Sequence, residues 1–122
     1  MISKIDLKEI FSSFDSSLIT IDLTNKNLQY LKNEVVMKNE RININCEELT
    51  DLIKIYITYW DNEYIDNTIV DGTEIELSIY TDDEIIKYNF KNKYPYNYNE
   101  FIKYLKAMVN IIWIQVLLIL IS

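Results

Sequence analysis

The chain has 122 residues, 49% of them hydrophobic, with 19 acids against 12 bases and a formal charge of −7, which is the length and apolar content of one folded domain and excludes a disordered tail. It holds no histidine, one cysteine, one glycine and one proline. That inventory removes the commonest general base, the Ser-His and Cys-His nucleophile pairs, internal disulfides, multi-cysteine metal sites and glycine-rich phosphate loops.

Taken in order, the first ten residues lack the apolar run of a signal peptide, and a lone Cys46 suits a reducing compartment, so a cytoplasmic location is expected. Residues 3–14 read as a helix: Ser3 caps, Asp6 stands three residues on, and Leu7, Ile10, Phe11 and Phe14 fall at helical spacing. Ile19, Ile21 and Leu23 then alternate with polar neighbours, Asn25-Lys26-Asn27 is a turn, and residues 28–31 return as the second strand of a hairpin. The pattern blurs over residues 32–40, and Ile42 and Ile44 alternate again as a third strand over 41–45. Asn45 with Glu48 makes a capping box for a helix to about Trp60, with Leu49, Leu52, Ile53, Tyr56, Ile57 and Trp60 as its apolar stripe. Cys46, beside that cap and without a base partner, reads as a small packing residue.

Residues 61–71 read as an acidic connector without periodicity, closed by an Asp71-Gly72 turn. The clearest signal follows. Ile75, Leu77 and Ile79 alternate with Glu74, Glu76 and Ser78, a polar turn spans 81–84, and Ile86, Tyr88 and Phe90 form the returning apolar row. Pro95 stops the sheet, after which Asn97 and Glu100 form a second capping box, with Tyr96 and Phe101 as its staple. This hairpin should bury one face beneath Leu49, Ile53, Phe101 and Leu105. The fold class expected is α+β: an antiparallel sheet of hairpins with helices on one face, as two hairpin-helix units plus an N-terminal helix. The domain is bounded at 1–109, and 110–122 is an apolar C-terminal tail. Two readings of that tail stay open, burial or pairing in a homodimer, and membrane anchoring.

The charge is uneven. Residues 47–84 carry twelve acids against Lys54 alone, a net of −11, and the remainder, with seven acids and eleven bases, is +4. Such a block repels nucleic-acid phosphates and speeds association with a basic partner. Its carboxylates fall on a predicted strand face and on turns, where paired acids are solvated surface, and the run from Asp61 fails the calcium-loop spacing because Gly72 stands where the terminal glutamate belongs. No cofactor, no metal and no catalytic activity are expected. Tyrosines inside or beside the block have interface character. The partner-binding set expected is therefore Tyr59, Asp61, Glu63, Tyr64, Asp66, Asp71, Glu74, Glu76, Tyr80, Asp82, Asp83 and Glu84.

Two resemblances bear on function. Asp71-Gly72-Thr73, the alternating residues 75–79, Asn92-Lys93-Tyr94-Pro95-Tyr96-Asn97 and Glu100-Phe101 resemble a pattern in small uncharacterised α+β bacterial proteins, where a hairpin ends in an Asn-x-Tyr-Pro turn before a helix. It implies a fold and brings no catalytic residues. In its short, acidic, tyrosine-rich profile the chain is similar to phage anti-CRISPR proteins and to bacterial immunity proteins. The resemblance implies a non-catalytic inhibitor whose acidic surface occludes the cationic nucleic-acid site of a nuclease. The alternatives are an immunity protein or antitoxin acting on a toxin, and a tail-anchored accessory protein.

Overall fold

A computed structural model describes residues 1–69 and 72–109. Its elements are β1 (Ile2–Ser12), β2 (Asp15–Asp22), β3 (Asn27–Lys32), β4 (Val35–Arg41), α1 (Cys46–Ile57), β5 (Glu63–Ile65), β6 (Glu74–Thr81), β7 (Ile85–Lys91) and α2 (Tyr98–Val109). The strands form one sheet in the order β4-β3-β2-β1-β6-β7-β5. Every neighbouring pair is antiparallel except β5 against β7. The class is thus α+β, with two helices among the described residues, and the 75–90 hairpin followed by a helix stands as read.

The N-terminal helix is replaced by β1. The same stretch also alternates, Ile5 and Leu7 against Lys4, Asp6 and Lys8, and β1 sits in the middle of the sheet with β2 on one side and β6 on the other. Backbone pairing along both edges of an 11-residue strand outweighs a local helical pattern. The rest of the first half is a meander. Its last strand is β4, over residues without apolar periodicity: at this sheet edge the partly covered positions are Lys38 and Glu40, which pair with each other at 2.7 Å, and the apolar Val35, Val36 and Met37 are exposed. Residues 42–45 leave the sheet, although Ile42 and Ile44 still point into the core. The β3–β4 turn, Asn33-Glu34, has both residues at positive φ (50° and 68°), the twist that a two-residue hairpin needs. The acidic connector contains a strand after all, the three-residue β5 laid parallel on β7.

Register separates the two faces of the sheet. Ile5 and Leu7 of β1 stand beside Ile21 and Ile19 of β2 and beside Ile79 and Leu77 of β6, which in turn face Ile86 and Tyr88 of β7. This face is buried with Leu49, Ile53, Phe101 and Leu105 of the helices, Ile86 being the half-buried member. The helices run antiparallel: Trp60, just past α1, meets Tyr98 and Phe101 early in α2, and Tyr56 meets Phe101 and Tyr104. Trp60 also sets its edge against Tyr88 and Phe90, with ring centres 5.5 Å apart in both cases.

The α2 start differs from the expected cap. Asn97 does not cap; its Oδ1 accepts from Trp60 Nε1 at 2.6 Å and its Nδ2 donates to the Tyr56 carbonyl at 3.2 Å. Tyr96 is 90% exposed and staples nothing. Asn45, by contrast, caps α1, accepting from the N–H groups of Glu47 and Glu48 at 3.1 Å, although Glu48 does not return a bond to its N–H to close the expected box.

Candidate protein-interaction surface

Of the twelve acids and tyrosines expected to act together, the eleven among the described residues are dispersed and do not form one surface. Asp82, Asp83 and Glu84 form the β6–β7 turn, where Asp82 lies 3.7 Å from the N-terminal ammonium. Asp66 lies at the other end of β7, its N–H bonded to the Lys91 carbonyl. The strand between, residues 85–91, holds these two acidic groups ~20 Å apart at ~3.3 Å per residue. Thr68 donates its hydroxyl (2.6 Å) and N–H (3.0 Å) to the Asp66 carboxylate, which holds that carboxyl below the usual range. Asp71 lies outside the described residues.

Glu74 and Glu76 project from the open side of the sheet, and there the register sets acids beside bases: Glu74 opposite Lys91, and Glu76 opposite Lys8 and Asn89. Glu63 of β5 reaches the same side. It lines, with Asn62, Glu76, Ser78, Lys87 and Asn89, an open groove of about 360 Å³. This groove is mixed in charge. Nor are Tyr64 and Tyr80 free contacts: Tyr64 packs edge-on against Phe90 at 5.6 Å, and Tyr80 donates to Asp6 Oδ2 at 3.2 Å under the Lys4 ammonium, 4.2 Å from its ring centre.

What remains is a ridge along the outer side of α1. Leu49, Thr50 and Ile53 turn inward, and Glu48, Asp51, Ile55 and Tyr59, spaced three and four residues apart, form the opposite stripe. Ile55 is 72% exposed and Tyr59 is 84% exposed. Glu47, Glu48 and Asp51 precede them and Asp61 follows, with Lys54 the single base on this helix. The acids at the first turn are held by the helix itself, since they sit at its positive end. An isoleucine on the helix and a tyrosine in the turn just past it, flanked by carboxylates, have the composition of an anchor with a charged surround. Sequence reasoning named Tyr59 and Asp61 and missed Ile55, although Ile55 stands outside the apolar stripe and was readable as an exposed isoleucine.

No protein-family profile matches this chain, and none of the curated proteins matches it. Among the described residues no helix is long and apolar enough to cross a membrane.

Proposed function

We propose that this protein is a non-catalytic inhibitor that binds a basic protein partner through the outer ridge of α1. Ile55 and Tyr59 anchor the contact, and Glu47, Glu48, Asp51 and Asp61 take the place of phosphates in the partner's cationic nucleic-acid channel. The observation that carries this reading is the outward pair of Ile55 on acidic α1 and Tyr59 in the turn that follows it. An isoleucine and a tyrosine left bare at successive helical turns stabilise nothing in the fold, and carboxylates around them supply steering toward a cationic surface. A CRISPR nuclease and a toxin nuclease offer the same chemistry, a channel lined with lysine and arginine, so the ridge fits an anti-CRISPR role or an immunity role through one mechanism.

The test is a comparative pull-down from host lysate with three full-length baits: wild type, Tyr59→Ala, and the triple reversal Glu48→Lys, Asp51→Lys, Asp61→Lys. Capture of a basic nuclease by wild type, reduced by both variants, supports the reading. A nuclease recovered equally by all three baits, or none recovered by wild type, removes it.

A further inference from the structure

The side of the sheet away from the helices is polar over most of its area, but not at one corner. Register places Lys8, Leu18, Leu31 and Val36 in a single row across β1, β2, β3 and β4, all pointing away from the helices, with Ile10 beside the row. Leu18, Leu31 and Ile10 are half-buried and Val36 is 53% exposed, and no described element covers them. Elsewhere on this side the same strands carry Lys4, Asp6, Thr20, Asp22, Asn27, Gln29, Asn39 and Arg41. The corner is therefore an apolar patch on a face otherwise built for water. It continues at the sheet edge into Met37, 61% exposed, and at the β1–β2 turn into Phe14, 91% exposed. The two turns that bound it are fixed to each other, Ser16 N–H donating to Asn33 Oδ1 at 2.8 Å and Asn33 N–H to the Ser16 carbonyl at 2.9 Å.

Charge decides what covers the patch. Leu18 and Leu31 line a shallow depression of about 150 Å³ with Lys8 on the β1 side and Glu34 on the β3–β4 side. Lys32, nearby, is held by Asp15 at 2.6 Å, whereas neither Lys8 nor Glu34 forms an ion pair among the described residues. One base and one acid flanking an apolar row on opposite sides form a self-complementary pattern. A two-fold axis parallel to the strands, passing between β2 and β3, sets β1 of one copy over β4 of the other. Leu18 of each copy then lies over Leu31 of the other, and Lys8 of each copy is brought over the β4 end that carries Glu34 of the other.

We propose that this corner is a homodimer interface, in which two copies pack their sheets face to face through Ile10, Leu18, Leu31 and Val36 with reciprocal Lys8–Glu34 pairs. The patch is formed by four apolar side chains, three of them already half-buried in the single copy, so the dimer is weak and forms with rising concentration. It lies on the opposite side of the sheet from α1, so a dimer leaves both ridges open and presents two of them, and the inference stands independently of the inhibitor reading.

The test is sedimentation equilibrium of the full-length chain over a wide concentration range, for wild type and four variants. Leu18→Glu and Val36→Glu should each leave a monomer at concentrations where the wild type is half dimeric, with melting temperatures confirming that both fold. Lys8→Glu should weaken association by ~10-fold, and adding Glu34→Lys should restore it to within ~3-fold, a rescue that general loss of hydrophobicity does not give. A wild type that stays monomeric throughout overturns the proposal. So does a dimer that persists in both glutamate variants, a dimer abolished by removing residues 110–122 but indifferent to Leu18→Glu, or a double charge swap without rescue.

Discussion

Asn97→Asp preserves the size of the side chain and its ability to cap, and by capping logic alone it is neutral or mildly stabilising. Asparagine and aspartate are near equals at an N-cap, and a carboxylate suits the positive end of a helix. The structure gives the opposite expectation. Asn97 uses its amide as a bridge, accepting from Trp60 Nε1 and donating to the Tyr56 carbonyl. Aspartate keeps the first bond and has no donor for the second. Losing that bond costs ~1 kcal/mol, and leaving the carbonyl unpaired against a carboxylate oxygen in a part-buried site adds ~1–2 kcal/mol. A destabilisation of ~2–3 kcal/mol follows at neutral pH, and Asn97→Ala, which breaks both bonds, should fall in the same range. With a urea slope of ~1–2 kcal/mol/M, the midpoint drops by ~1–2 M. Urea unfolding of wild type and both variants, followed by circular dichroism, measures this. An Asn97→Asp midpoint at the wild-type value, beside an Asn97→Ala loss of only the ~1 kcal/mol that a cap is worth, would refute the bridge.

Leu77 is fully buried at the centre of the sheet, so Leu77→Ala should cost ~2–5 kcal/mol; a loss below ~0.5 kcal/mol on denaturant unfolding contradicts that placement. Ile55→Ala and Tyr59→Ala should each change stability by no more than ~0.5 kcal/mol, because nothing buries either side chain, yet each should weaken partner binding by ~10-fold or more; calorimetric melting and titration read the two effects separately. Burial pushes the Tyr98 hydroxyl well above the usual tyrosine range, and Tyr88 and Tyr94 shift the same way. The unfolded chain then ionises near pH ~10 while the folded chain resists, so stability is intact below that pH and falls as pH rises beyond it. Tyr98→Phe should therefore lose less melting temperature than wild type between about pH 8 and 11; an equal fall counts against the buried hydroxyl.

Where a segment's own pattern and its tertiary role agreed, the fold was readable. Residues 75–90 alternate because one side of β6 and β7 is covered and the other is bare, and Asn45 caps because its side chain has no other partner. Residues 3–14 misled because Leu7, Ile10, Phe11 and Phe14 mimic a helical stripe, and of the two strands that claim β1, β2 and β6, the second lies more than sixty residues further along the chain. β4 and β5 had no signal to give: one is an edge and the other only three residues long. The missing strand also hid which bases lie beside these acids. With β1 read as a helix, Glu76 had no Lys8 opposite it, and the acidic block looked continuous when its members lie at both ends of β7 and on both sides of the sheet. Asn97 was misassigned for a related reason, since a capping asparagine and a bridging one are identical in sequence and differ only in what tertiary structure brings near.

The proposed steering and anchoring of a cationic partner by the α1 ridge has a kinetic signature. Stopped-flow association with the captured nuclease, measured against ionic strength for wild type, for the Glu48→Lys, Asp51→Lys, Asp61→Lys variant and for Asp82→Lys with Glu84→Lys, tests it most directly. The wild-type rate should fall as salt shortens the screening length below ~8–10 Å, the ridge variant should be slow and nearly independent of salt, and the turn variant should be close to wild type. A ridge variant with the wild-type rate and salt slope, or a turn variant that loses both, would contradict it.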